Sequence, residues 1–274
     1  MKITYRFSIA WSKSRVAQLQ RLGLTVEQRV PEAPGGGLAI CLIDEGQPGW
    51  TEACELMRSW KPFRYVDTEF TQEEIAGAEY CRLVGEHNNS YPQPEDEFRG
   101  VTYDISDYCS TCGIGLKQHA PFRVRNQLKW GRNDFLKLFL VPDELFMRAE
   151  RWKLLLAPQG VAAREVVDVR GRSFDSVVQL DIKERVALNM GDAEGELCLS
   201  CGRERYLPHS RGFFPAPLAP PEAPMFRNQQ YFGVGHSGFN CILVNASLAT
   251  FILSKGLKGV KLWPCAPVSG GASA

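Results

Sequence analysis

Two short stretches carry the residues best suited to chemistry, Cys109-Ser-Thr-Cys112-Gly and, far downstream, Cys198-Leu-Ser-Cys201-Gly. Two cysteines three positions apart form a tight turn in which both sulfurs face one point and backbone amides face the sulfurs. The glycine behind them accepts the positive φ that closes such a turn. One turn supplies two ligands. Zinc takes four in a tetrahedron, with Zn–S near roughly 2.3 Å. The long gap between the pairs costs little, because loop closure entropy grows only with the logarithm of length. The pattern predicts one zinc site made of Cys109, Cys112, Cys198 and Cys201, with no open coordination position and therefore structural. The rival chemistry is thiol–disulfide exchange, which places one pair at a helix N-terminus where the dipole lowers a thiol pKa. The second glycine in Cys112-Gly-Ile-Gly and the lack of a good helix after either pair count against it.

The chain that must hold these turns has 274 residues, enough for one large domain or two modest ones with a substantial core. A charged content of 23% is that of a globular protein, and a net charge of +1 gives no global attraction to nucleic acid or membrane. No stretch approaches the roughly 18 apolar residues of a membrane helix, and the N-terminus has no apolar segment of a secretory signal. The expected location is the cytoplasm. There a disulfide framework is not expected, and Cys41, Cys54, Cys81, Cys241 and Cys265 read as small apolar core residues.

Periodicity divides the rest. Ile3, Tyr5, Phe7 and Ile9 alternate as a half-buried strand, and Val16, Leu19 and Leu22 mark a short helix ending at Gly23. Leu38–Ile43 reads as a buried strand and Thr51–Trp60 as a helix. Thr71 and Glu74 stand at capping-box spacing for another helix. The stretch from Gly85 to Gly100, rich in Asn and Pro, reads as a loop or linker. Beyond the first cysteine pair, Leu145, Ala149 and Trp152 predict a helix with Pro142 near its first turn, and Gly171 centres a hairpin. The end reads strand, helix, strand, with Gly256 at the helix terminus and Pro264 closing the last strand; the tail Ser269–Ala274 is expected to be disordered. The strand-to-helix passages after the two pairs hint at an internal repeat. The predicted fold is α+β. An N-terminal α/β unit over 1–98 precedes a portion over 99–274, built around a split four-cysteine zinc ribbon with an inserted helix-hairpin subdomain.

Charge is uneven. Lys117, Arg123, Arg125, Lys129 and Arg132 fall in a segment with no acidic residue. With Phe122 and Trp130 they suit a ribbon that grips phosphates and stacks bases. An acidic segment carries Glu69, Glu73, Glu74, Glu79, Glu95, Asp96 and Glu97, which suits a basic protein partner. His87, His119, His209 and His236 show no metal-ligand spacing, although His119 and His209 follow the two turns at similar offsets as candidate supports. Gly233-x-Gly235-x-x-Gly238 matches a dinucleotide fingerprint in letters only, since an apolar strand follows where a helix is required; it reads as a loop. No catalytic set is legible, which leaves an enzyme possible only through residues assembled by the fold.

The two Cys-x-x-Cys-Gly motifs, the long insert between them and the C-terminal capped helix leading to Gly-Val-Lys-Leu-Trp-Pro resemble the bacterial double-CxxCG proteins of myxobacteria. The resemblance covers about Val101 to Pro264. Some members of that group are assigned as immunity proteins against contact-delivered toxins of the swarm-inhibition type. The resemblance therefore implies a non-enzymatic immunity protein that binds a cognate toxin. The alternative is a zinc-ribbon nucleic-acid-binding protein.

Overall fold

The computed structural model describes residues 1–268; the predicted C-terminal tail lies outside the described residues. The protein is α+β and divides into two units, one made of Met1–Thr71 with Ser210–Gly212, the other of the rest.

The first unit runs β1 (Lys2–Ala10), α1 (Lys13–Arg21), β2 (Val26–Arg29), β3 (Leu38–Asp44), α2 (Trp50–Trp60) and β4 (Phe63–Glu69). Its sheet has the order β2-β3-β1-β4, antiparallel throughout, which is the split βαβ arrangement of ferredoxin-like domains. The alternation in β1 does what the sequence predicts. Ile3, Tyr5, Phe7 and Ile9 point to one face and are buried against Val16 and Leu19 of α1 and Ala53 and Met57 of α2. The intervening residues Arg6, Ser8 and Ala10 lie opposite Leu42, Ile40 and Leu38 on one side, and Arg6 and Ser8 lie opposite Tyr65 and Phe63 on the other. Cross-strand partners share a face, so Leu38, Leu42, Phe63 and Tyr65 stand on the side away from the helices, and all four are exposed. Ser210–Gly212 return to this unit, where the Thr68 hydroxyl donates to the Ser210 carbonyl and Arg211 pairs with Glu45.

The second unit begins with α3 (Gln72–Ala76), β5 (Tyr80–Gly85) and α4 (Phe98–Thr102). Next come β6 (Tyr103–Asp104), β7 (Lys117–Gln118), β8 (Arg123–Val124), β9 (Phe135–Leu136), β10 (Phe146–Arg148) and α5 (Ala149–Arg151). Then follow β11 (Ala163–Asp168), β12 (Ser173–Leu180), β13 (Arg185–Val186), β14 (Glu196–Leu197) and β15 (Glu204–Arg205). It closes with β16 (Met225–Asn228), β17 (Ile242–Asn245), α6 (Ala246–Ser254) and β18 (Val260–Pro264). One five-stranded sheet has the order β8-β11-β12-β10-β9 and another β13-β16-β17-β5-β18; β6-β7 and β14-β15 are separate two-stranded hairpins. The β9–β10 end of the first of these sheets is buried on both faces. Alternate residues of β9 and β10 therefore enter different cores: Phe135 and Met147 join Leu83, Ile242, Leu248 and Leu262, while Leu136 and Phe146 join Phe98, Phe122, Val124 and Trp130.

Several expectations hold. The hairpin turns at Gly171, and Asn245 caps α6 by accepting from the Leu248 amide at 2.9 Å. Pro264 ends β18 at a sheet edge, where its missing N–H does no harm.

Others are corrected. The boundary between units falls after Thr71, not at 98, because β5 pairs with both β17 and β18. The segment read as a loop or linker is a loop but not a linker, since it is packed into the second unit: the Asn89 amide bonds to Lys137 O, the Gln93 amide to Arg123 O, and Phe98 is buried. Residues near Pro142 and Leu145 do not begin a helix. Phe146 and Met147 pair with both β9 and β12, and sheet pairing overrides the helical spacing until Ala149. Helical turns then continue through Gln159 and stop at Gly160, in the left-handed region. A strand passes into helix in both places, β10 into α5 and β17 into α6, but the first passage falls at Arg148–Ala149, later in its segment than the second. The insert is not a separate subdomain, since Leu156 and Leu180 share a core with Leu83 and Leu262.

Candidate metal centre

Each cysteine pair sits at the tip of a two-stranded hairpin, the first between β6 and β7, the second between β14 and β15. The local hydrogen bonds are the same in both. The Gly113 amide donates to Cys109 O and the Cys109 amide donates to Ile114 O, each at 2.8 Å. In the second turn the Gly202 amide donates to Cys198 O at 2.8 Å and the Cys198 amide to Arg203 O at 2.9 Å. Gly113 and Gly202 take φ of 76° and 71°, the positive values that the motif requires.

The turns meet face to face. Cys109 Sγ lies 3.8 Å from Cys198 Sγ and Cys112 Sγ 3.6 Å from Cys201 Sγ, and all four sulfurs lie within 4.8 Å of one another. A disulfide would need about 2.0 Å, and all nine cysteines are free. A regular tetrahedron with Zn–S near 2.3 Å has sulfurs about 3.8 Å apart. The four thiols thus fit one tetrahedral ion. Thr111 and Ser200, the residues between the ligands in each turn, share a hydroxyl hydrogen bond of 2.9 Å across the junction.

Backbone polarity prepares the sulfurs for a cation. The amides of Cys112 and Thr111 face Cys109 and lower its pKa to about 6. The amides of Ser200 and Cys201 do the same for Cys198, lowering it in direction. Cys112 is the opposite case, pushed up to about 12 by burial. A bound cation would favour ionisation of this buried sulfur with the others.

Arginines lock the turns together, and sequence reasoning missed them. Arg203, next to the second turn, donates to the carbonyls of Asp107 and Ile114 at 2.7 and 3.2 Å and pairs with the Asp107 carboxylate. Arg205 donates to Cys112 O at 3.2 Å and also to the carbonyls of Gly235 and Ser237. The loop at Gly233–Gly238 is confirmed as a loop, and it packs on the first turn. A Cβ at Gly238 would meet the Ile114 side chain and Cys112 O. The density of glycine was the available signal for this close approach. His236 Nδ1 lies 2.9 Å from Ser110 O, so the histidine that touches a cysteine turn is His236. His209 instead packs edge-on against Phe214 and Trp263, and His119 is exposed.

The residues of the two charged segments are spread over several elements. Phe122 and Trp130 are core residues, so they cannot stack on bases. Lys117 lies 3.6 Å from Asp107, Arg123 is half-buried in β8, Arg125 donates to Gln93, and Lys129 and Arg132 are exposed. Of the acidic residues, Glu69 belongs to the first unit. In the second, Glu73 and Glu74 are on α3, Glu79 precedes β5, and Glu95, Asp96 and Glu97 form an exposed turn before α4. The isolated cysteines 41, 81, 241 and 265 are buried as predicted, and Cys54 is half-buried on α2. Among the described residues no helix is long and apolar enough to cross a membrane. No family model matches this chain, and no curated protein or solved structure matches it.

Proposed function

We propose that this chain is a cytoplasmic binding protein that captures and neutralises a cognate bacterial protein toxin, with a zinc ion stapling its second unit. The zinc part rests on four thiols at tetrahedral spacing in a closed site. The expected assay result is one zinc per chain by elemental analysis; stoichiometric iron in its place would overturn it.

The binding part rests chiefly on one observation, the uncovered sheet face of the first unit. Phe63 and Tyr65 of β4 are 75 and 56% exposed, Leu38 and Leu42 of β3 are 44 and 58% exposed, and β1 lies between the two strands with Arg6 between Leu42 and Tyr65. Exposed apolar surface grouped on one sheet face marks interaction sites, and Tyr, Phe and Arg are enriched where proteins bind one another. The double-CxxCG resemblance supplies the partner class. The test is co-expression with toxic proteins encoded beside it. Rescue of growth is expected, and Phe63→Asp with Tyr65→Asp should abolish it while leaving the melting temperature unchanged. Absence of any neutralised neighbour, or full rescue by the double variant, counts against this reading.

A further inference from the structure

We infer that the second unit carries a binding site for a small organic anion bearing hydroxyl groups, in a cleft walled on one side by the first cysteine turn. The site is independent of the toxin reading, since it uses neither the uncovered sheet face nor the acidic segment.

The cleft has a volume of about 340 Å³, within the range of roughly 300–1,000 Å³ for small-molecule sites. Its floor is a buried polar network. The Arg227 guanidinium is held by three acceptors: it donates to Glu144 Oε2 at 2.8 Å, to Asp143 O at 2.5 Å and to Ile182 O at 3.3 Å. Gln179 donates to the same Glu144 oxygen at 2.8 Å and exchanges hydrogen bonds with Gln118. Two polar atoms of this floor remain unused among the described residues, Glu144 Oε1 and the Tyr103 hydroxyl. Both side chains line the cleft, and both residues are only 8% exposed. Both oxygens open onto the cleft, where a ligand can replace water as their partner. Here one leftover atom is an acceptor, the carboxylate oxygen, and the other is a phenol that donates or accepts. A ligand with hydroxyl groups satisfies both.

The rim has the opposite need. Arg164 and Lys183 share a single carboxylate, Asp181, at 2.6 and 3.3 Å. Arg185 donates to Asn240 Oδ1 at 2.7 Å, a neutral partner, and makes no ion pair among the described residues. Positive charge is thus in excess where the cleft opens, and it is placed to receive phosphate or carboxylate oxygens. The combination selects a phosphorylated or carboxylated polyol, with its anionic end at Arg185 and Lys183 and its hydroxyls toward Glu144 and Tyr103. Gly113 and Gly238 also line the cleft, so the packing of the loop on the metal turn shapes its wall.

Calorimetric titration of the metal-loaded full chain tests this, with ribose 5-phosphate, gluconate and inorganic phosphate as probes. Saturable binding of ribose 5-phosphate or gluconate is expected with Kd below about 1 mM, the better of the two identifying the anion. Inorganic phosphate alone should bind at least about tenfold more weakly, having no carbon chain to reach the floor. Arg185→Gln with Lys183→Gln should weaken binding about tenfold or more. Tyr103→Phe should weaken it about fivefold with an unchanged melting temperature, because the hydroxyl has no partner in the free protein. A merely structural tyrosine would not separate these two readouts. No heat from either polyol at about 10 mM, equal affinity for inorganic phosphate, or wild-type affinity in Tyr103→Phe overturns the proposal.

Discussion

In the first cysteine turn Cys112 is 2% exposed and a Cβ on its glycine would strike the backbone of His236 and Gly238; in the second, Cys201 is exposed, Leu199 projects fully into solvent, and Gly202 has open space around it. Yet the two turns have the same internal hydrogen bonds and the same glycine conformation. The contrast separates two causes. The shape of the turn is written locally by Cys-x-x-Cys-Gly, whatever surrounds it. What the turn holds is decided by the rest of the chain. The first is a wall of the second unit, and the second is a clasp that closes on it through Arg203 and Arg205.

The sharpest test of that division is to remove the ion. Chelation should destabilise the second unit by on the order of 10 kcal/mol and leave the first, with its own apolar core, cooperative on its own. Hydrogen exchange of Ile3–Ile9 against Leu83 and Ile242 would read this, and a single unchanged melt would break the distinction. Next in size come the ligand substitutions. Cys112→Ser and Cys201→Ser each remove one thiolate, but only the first leaves an unpaired hydroxyl in a buried site. Cys112→Ser should lower the melting temperature more, by several kcal/mol in stability, and equal losses would show that the wall adds nothing to the clasp. The glycines sharpen the comparison. Gly202→Ala meets only the positive-φ cost, about 1–2 kcal/mol. Gly113→Ala adds a backbone clash and should cost at least about 3 kcal/mol, measured by denaturant unfolding. The smallest effect belongs to the contact that both turns share. Thr111→Val removes an exposed hydroxyl pair and should cost less than about 1 kcal/mol.

The cysteine site was legible in the sequence because its information is local: spacing, thiol chemistry and a trailing glycine. Alternation in β1 and the cap at Asn245 were legible for the same reason. The boundary at Thr71 was not. β5 looks like any short apolar strand, and nothing near it says that its partners are β17 and β18. The segment at Leu145 misled because its apolar spacing fits a helix while Phe146 and Met147 fit a strand buried on both faces, and only the neighbouring strands decide. Phe122 and Trp130 misled differently. An aromatic beside arginines reads as a stacking surface until burial is known. The cleft floor was invisible, since Tyr103, Glu144, Gln179 and Arg227 are scattered along the chain and become a group only when folded.

The place of β5 between two strands from the far end of the chain also sets a timetable. During synthesis Tyr80–Gly85 emerges well before its neighbours Ile242–Asn245 and Val260–Pro264. Until then an apolar strand waits with both edges open, the condition in which nascent proteins recruit chaperones or associate wrongly. The β4-containing domain can form while this wait continues. Resistance of the larger domain to protease should therefore arrive late and abruptly, once the stretch ending at Pro264 has cleared the ribosome.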